Sequence, residues 1–228
     1  MKRVPTTELL DTDAGTPREI ADSIADLRMF NRWFGGISCT SHMVERVVRQ
    51  TKATSLSWLD VASGAGYVPH MVRDHLAQRK VKVAVTLLDR AASHLTNGTG
   101  PAANGTRSVV GDALSLPFRN DSFDLVSSEL FVHHLPPEQV TIFVREGLRV
   151  CRKAFLINDL IRDPIHLALA YAGFPLYRSR LTRNDAPASV RQAYTPDELL
   201  ALIRQTGAER IDIEFCYLYR MGFVVWKA

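Results

Sequence analysis

A chain of 228 residues with 46% apolar and 23% charged residues has the size and composition of one globular domain with a full core. Its net charge of +4 comes without a dense Lys/Arg block, which favours a solvated surface over a nucleic-acid face. The longest apolar run, residues 165–177, is too short to span a bilayer, and the polar N-terminus has no apolar leader core, so no stable membrane anchor or signal peptide is expected.

In chain order, residues 1–15 are polar and read as a loose start. Thr16-Pro17-Arg18-Glu19 reads as a capped helix start, and the helix would bury Ile20, Ile24 and Leu27. It passes Phe30-Asn31-Arg32-Trp33-Phe34 and stops at Gly35-Gly36. Those aromatics are either core or a lid over a ligand; Arg32 beside Trp33, ahead of the two glycines, keeps the lid reading open. A second helix is expected over 42–51.

From Trp58 onward, strands alternate with helices. Strands are expected at 57–61, 82–88, 106–110, 123–127 and 154–157, with helices at 67–78 and 137–150 and a Gly/Asn/Ala-rich loop over 97–105. The alternation then gives way to helices and turns over 162–193. Another capped helix starts at Thr195, and two strand-like runs between Arg210 and Trp226 form an antiparallel hairpin. The fold class is α/β, a doubly wound, mostly parallel seven-stranded Rossmann-like sheet with a C-terminal hairpin and a helical cap. The chain reads as a single domain, 1–228: an N-terminal helical cap (1–52), a cofactor-binding core (53–160), an acceptor-cap insert (161–193) and the last helix with the hairpin (194–228). Cys39, Cys151 and Cys216 lack CxxC spacing, so neither a metal site nor a disulfide framework is signalled, and they suit a reducing cytoplasm.

The functional signal is densest at Asp60-Val61-Ala62-Ser63-Gly64-Ala65-Gly66-Tyr67. An acid at a strand end, a glycine turn and a helix N-terminus make a nucleotide-binding corner. Gly64 and Gly66 permit positive φ and close approach of a ligand, while Asp60 would orient the turn or accept from a ligand ammonium. Asp89, Asp112 and Glu129 stand at the ends of later strands, where ligands of open α/β sheets bind. Dinucleotides and adenosyl ligands both fit a glycine turn followed by an acid on the next strand.

Asp60–Gly66 resembles the Asp-x-Gly-x-Gly-x-Gly motif of class I S-adenosylmethionine-dependent methyltransferases. Gly111-Asp112-Ala113 through Phe118, with Asp121-Ser122-Phe123-Asp124, is similar to the second signature of ubiquinone/menaquinone-type small-molecule methyltransferases. Ser128-Glu129 through His133-His134-Leu135-Pro136 resembles their segment after strand four. The resemblance covers about Trp58 to Asp159 and the terminal hairpin. It implies S-adenosylmethionine as cofactor. The methionine part would be held by Asp60, Ala62, Ser63, Gly64, Gly66 and Glu129, the ribose by Asp89 with Arg90 beside it, and the adenine by Gly111, Asp112 and Ala113. Ala62 departs from the motif's first glycine, and Arg152-Lys153 replaces the family's Pro-Gly-Gly turn before strand five. A nicotinamide-dependent oxidoreductase is the competing reading; Pro69, standing where GxGxxG has its third glycine, counts against it. A catalytically silent cofactor-binding partner subunit is a further alternative.

Transfer of a methyl group to a hydroxyl needs the acceptor's proton removed. His133 and His134 follow strand four, and an imidazole's ordinary pKa suits a base at neutral pH. Asp159, after strand five, would orient a histidine, hold the acceptor or act as base, with Arg162 on the same turn as its partner. Arg32, Trp33, Arg162, Tyr171 and Phe174 are the acceptor-binding candidates. The apolar insert points to a small aromatic, quinol or polyketide-type hydroxyl compound. No nucleic-acid partner is expected, and a homodimer is left open.

Overall fold

The computed structural model describes residues 1–12, 14–96 and 106–227; the expected loop over 97–105 lies outside the described residues. The elements run α1 (Pro17–Trp33), α2 (Gly36–Thr51), β1 (Ser55–Val61), α3 (Tyr67–Gln78), β2 (Lys82–Asp89), a short α4 (Ala92–Thr96) and β3 (Arg107–Val110). Then come β4 (Phe123–Glu129), α5 (Pro137–Val150), β5 (Cys151–Leu160), α6 (Pro164–Ala172), α7 (Arg180–Gln192), α8 (Pro196–Arg204), β6 (Ile211–Cys216) and β7 (Arg220–Trp226).

The seven strands lie in the order β3-β2-β1-β4-β5-β7-β6. The first five are parallel, and β7 runs antiparallel between β5 and β6. Alternation along the central strand separates two cores. Leu56 and Trp58 of β1 point toward α2 and α3, where they meet Met43, Val47, Val72 and Leu76. Leu59 and Val61 point toward α5 and α8, where they meet Phe143, Val144, Leu199 and Ile203. A parallel sheet covered on both faces explains why its strands read as apolar runs. The chain order reverses at β1, whose neighbours are β2 and β4. That switch point places a crevice beyond the carboxyl ends of β1, β2 and β4.

Several boundaries differ from the sequence expectation for identifiable reasons. Helix α2 starts at Gly36, six residues before the expected His42, because Gly35 adopts the left-handed conformation (φ 85°) and turns the chain without a loop. Strand β5 extends to Leu160 because Asn158, Asp159 and Leu160 stay paired with β7. The absent Pro-Gly-Gly turn is explained by connectivity: α5 ends at Val150 and β5 begins at Cys151, leaving no loop to turn.

The N-terminal segment is docked. The Arg3 guanidinium donates to the carbonyls of Gln192, His133 and Leu135 and lies 4.2 Å over the Tyr194 ring. The buried Asp185 carboxylate accepts from the Leu9 and Leu10 amides. Asp26 of α1 accepts from the amides of Arg178 and Ser179, tying α1 to the start of α7. These buried acids assemble α1, α6, α7 and the N-terminus into a cap over the carboxyl edge of the sheet.

Cys39 on α2 and Cys216 at the end of β6 form a disulfide across 177 residues, against the sequence expectation of none. The odd cysteine count hid it, and cysteine usage therefore does not argue for a reducing compartment. Cys151 is free and buried, and burial pushes its thiol up to about 12. No helix among the described residues is long and apolar enough to cross a membrane.

Candidate active site

The glycine turn sits where β1 ends. Gly64 (φ 50°) and Gly66 (φ 68°) both occupy the left-handed region. A Cβ on Gly66 would lie 2.6 Å from Leu87 Cδ1, whereas one on Gly64 would meet nothing within 4 Å, because that side opens to the cavity. The turn is held by Asp89: its Oδ2 accepts from the Gly64 amide at 2.9 Å and its Oδ1 from the Ala91 amide at 3.0 Å. Burial opposes the charge on Asp89, but His94 and those amides bring its pKa below the ordinary carboxylate range. His94 also approaches Oδ1, and Oδ2 retains a lone pair for a ligand hydroxyl.

Ala62 also has positive φ, 56°. A left-handed L-residue costs roughly 1–2 kcal/mol, partly offset by the backbone freedom that glycine adds to the unfolded chain. Ala62→Gly is therefore expected to raise the thermal unfolding midpoint by about 2–4 °C, corresponding to a net gain of about 1 kcal/mol. A lower midpoint in a thermal melt would show that the methyl group packs favourably.

Asp60 does not orient the turn. Its Oδ1 accepts from Ser127 Oγ, which in turn accepts from Trp58 Nε1 at 2.8 Å. Its Oδ2 is buried and has no hydrogen-bond donor among the described residues. Glu129 lies beside it and accepts from Thr40 Oγ1 at 3.3 Å. Burial, then the adjacent Glu129, raises Asp60 well above the ordinary carboxylate range, and burial raises Glu129 as well. Two adjacent buried carboxylates hold a proton between them until a cation arrives.

His133 and His134 occupy a short turn after β4. His133 Nδ1 lies 2.6 Å from Asp159 Oδ1, and Asp159 Oδ2 accepts from the His133 amide at 3.0 Å. His133 Nε2 is 3.5 Å from Glu8 Oε1. His134 Nδ1 is 2.9 Å from Asp11 Oδ2, and its Nε2 is 4.0 Å from the same Glu8 Oε1. Burial would lower the His133 pKa, but Asp159 and Glu8 outweigh it and raise it to about 10. This His133 is a cation at neutral pH, which corrects the reading of an unperturbed imidazole base. Asp159 is buried behind the ring, bonds both the ring and the amide of His133, and does not line the cavity.

The acceptor-side candidates need the most correction. Trp33 is 65% exposed with the Arg32 guanidinium 5.6 Å over its ring, and neither lines the cavity. The wall is instead formed by Ile24, Leu27, Phe30 and Phe34 on α1, which is why Ile24 and Leu27 are only half-buried. Arg162 pairs with Glu198 and donates to the carbonyls of Met1 and Ala193, not to Asp159. Tyr171 takes a hydrogen bond from Arg191 at the surface, and Phe174 packs between Tyr171 and Tyr177 outside the cavity lining. The cap lines the cavity through Leu169, Leu176 and Tyr177. Gly66 shapes the turn without facing the cavity, whereas Asp60, Ala62, Ser63, Gly64, Asp89, Arg90, Gly111, Asp112, Ala113 and Glu129 all line it. Asp112 accepts from the Leu114 amide at 2.9 Å, which sets the Gly111–Ala113 bend.

The residues fit an adenosyl amino-acid ligand. The donorless Asp60 Oδ2 calls for a cationic group such as the cofactor's ammonium, and the open face of Gly64 offers room for it. Residues 59–156 match the family model described as a methyltransferase domain. No curated protein matches the sequence. Among solved structures, PigF bound to S-adenosylhomocysteine aligns over 97% of this chain and 62% of its own length, at 16% identity and a TM-score of 0.64. A SAM-dependent methyltransferase from Aquifex aeolicus aligns over 81% of this chain and 89% of its own, at 15% identity and a TM-score of 0.57. Human N-acetylserotonin methyltransferase, solved with S-adenosylmethionine, aligns over 75% of this chain and 47% of its own, at 13% identity and a TM-score of 0.56. At these identities the structural likeness is one of fold.

Proposed function

We propose that this class I S-adenosylmethionine-dependent methyltransferase O-methylates a small molecule, an aromatic, quinol or polyketide-type hydroxyl compound. The observation that carries the proposal is a single cavity of about 1010 Å³. It joins the cofactor corner to an apolar wall of Phe30, Phe34, Leu169, Leu176 and Tyr177, and reaches the His133–His134 cluster. That volume is at the upper end for a small-molecule site and leaves room for an acceptor beside a cofactor. When bound, S-adenosylmethionine supplies a methyl group on a sulfonium, open to in-line attack by a nucleophile. The protein's part is positioning and proton handling. Asp60 and Glu129 hold the ammonium end, Asp89 takes the ribose hydroxyls, and Gly111–Ala113 border the adenine. The α1 and cap residues hold the acceptor's apolar body and exclude water. The Glu8–His133–His134 cluster meets the acceptor's hydroxyl and governs loss of its proton.

N-acetylserotonin, named in one structural neighbour, is an aromatic compound of the class proposed. The test is calorimetry with S-adenosylhomocysteine followed by turnover on a panel of phenols and quinols. Cofactor-product binding without turnover of any hydroxyl compound would point to the silent-partner reading. Asp89→Ala is expected to weaken S-adenosylhomocysteine binding by about 1–3 kcal/mol, the scale of lost hydrogen bonds to a charged group. Unchanged affinity would remove Asp89 from the ribose site.

A further inference from the structure

Glu8, His133 and His134 come from the N-terminal segment and the turn after β4, yet one ligand-capable atom from each lies within 4.8 Å of the others. Both imidazoles direct Nε2 at the same Glu8 oxygen, at 3.5 and 4.0 Å. The other nitrogen of each ring is fixed by its own carboxylate: His133 Nδ1 by Asp159 at 2.6 Å and His134 Nδ1 by Asp11 at 2.9 Å. A carboxylate only accepts, so each Nδ1 carries a proton; the second proton of His133, on the Nε2 that faces Glu8, leaves when an ion takes that nitrogen. Glu8 Oε1 accepts from Ser189 Oγ and from Gln192 Nε2, which fixes the carboxylate in place. Imidazoles with carboxylate-bound Nδ1–H and convergent Nε2 atoms, together with a hydrogen-bonded carboxylate, have the arrangement of metal ligands with their orienting partners.

We propose that the Glu8 carboxylate, His133 Nε2 and His134 Nε2 bind one divalent transition-metal ion of the class that takes mixed imidazole and carboxylate ligands, with zinc as the representative ion. Ligands at about 2.0–2.2 Å in a tetrahedral site stand roughly 3.4 Å apart, close to the Glu8–His133 spacing. All three residues line the cavity, so the remaining coordination position faces the acceptor. Its role there rests on the O-methylation reading. The ion takes the acceptor's hydroxyl oxygen, lowers its pKa, and the displaced proton leaves to solvent water. The same ion fixes which hydroxyl of a polyhydroxylated acceptor faces the methyl donor.

The test uses the tag-free full-length chain, stripped with EDTA and titrated with zinc chloride, and with cobalt chloride for its visible absorption. One equivalent of zinc is expected to bind per chain. Glu8→Gln and His134→Ala should each abolish the stoichiometric site. Asp11→Asn leaves all three ligand atoms in place and should weaken zinc roughly 10–100-fold by releasing the His134 ring. S-adenosylhomocysteine binding, measured on the same samples, reports that each variant is folded. Wild type that binds S-adenosylhomocysteine but no stoichiometric zinc overturns the metal site and leaves methyl transfer standing. Zinc binding unaffected by both Glu8→Gln and His134→Ala overturns it too. Zinc binding lost in those variants by a chain that never binds S-adenosylhomocysteine supports the site and removes its role in methyl transfer.

Discussion

Asp60→Ala is expected to weaken S-adenosylhomocysteine binding by about 2–5 kcal/mol, the range for deleting one partner of a buried, hydrogen-bonded charge pair. The Asp60 carboxylate is buried, tied through Oδ1 to Ser127, and carries an Oδ2 with no hydrogen-bond donor among the described residues beyond the proton it shares with Glu129. A carboxylate in that state is poised for a cation. Burial and the neighbouring Glu129 raise its pKa, so the free protein keeps a proton on the pair above the ordinary carboxylate range. An arriving ammonium favours the ionised pair and expels that proton. Affinity therefore rises with pH from the ordinary carboxylate range through the raised pKa and then levels off. Stability of the free protein has the opposite sign. The folded state binds more protons than the unfolded chain across this window, so the pair's contribution falls as pH rises. Calorimetry in two buffers of different ionisation enthalpy should show net proton release for wild type and none for Asp60→Ala. Asp60→Asn keeps an acceptor for Ser127 and serves as the variant with the least disturbed fold. A wild-type affinity that stays flat as pH rises out of the ordinary carboxylate range would exclude the shared proton.

The cofactor half of this site was legible in the sequence, and most of the acceptor half was not. Asp60, Gly64, Asp89 and Asp112 lie at strand ends or in the turns that follow them, and short apolar runs bounded by turn residues locate strand ends. Once the strands are placed, parallel topology brings those residues to one edge. Glu8 and Asp11 carried no such signal. They sit in a polar stretch with no periodicity, and their positions depend on Asp185 capturing two backbone amides far along the chain. Arg32 and Trp33 failed for a related reason. A helix turns about 100° per residue, so Phe30 and Phe34 share the cavity face while the two residues between Asn31 and Phe34 point outward. Arg162 was placed on the correct turn, but the choice of Glu198 over Asp159 is set by packing against α8 and the N-terminus. The Cys39–Cys216 bond was hidden because its two ends belong to elements that meet only through the sheet order β5-β7-β6.

His134→Ala is expected to lower turnover by a factor on the order of 10²–10⁴, the usual contribution of positioned proton handling, while leaving S-adenosylhomocysteine affinity nearly unchanged. The split follows from location. His134 stacks against Phe131, packs on His133 and is bonded to Asp11, whereas the bonds of Asp60 and Glu129 go to Ser127 and Thr40. It is half-buried, so its removal leaves no sealed void. His133 is a poorer probe for the same question. Its ring is nearly all buried, and deleting it would strand the Asp159 carboxylate in the interior, so lost folding would accompany lost turnover. Whether the cluster works through an imidazole or through a bound cation, His134 is the member whose loss affects chemistry with least effect on the fold. The two modes separate on treatment of the wild type. EDTA should lower turnover in the cation mode, with recovery on adding zinc, and should leave it unchanged if the imidazole acts alone. Unchanged turnover of His134→Ala on an acceptor that wild type methylates would place control of the acceptor's proton outside this cluster, and the apolar wall of α1 and the cap would then be left with positioning alone.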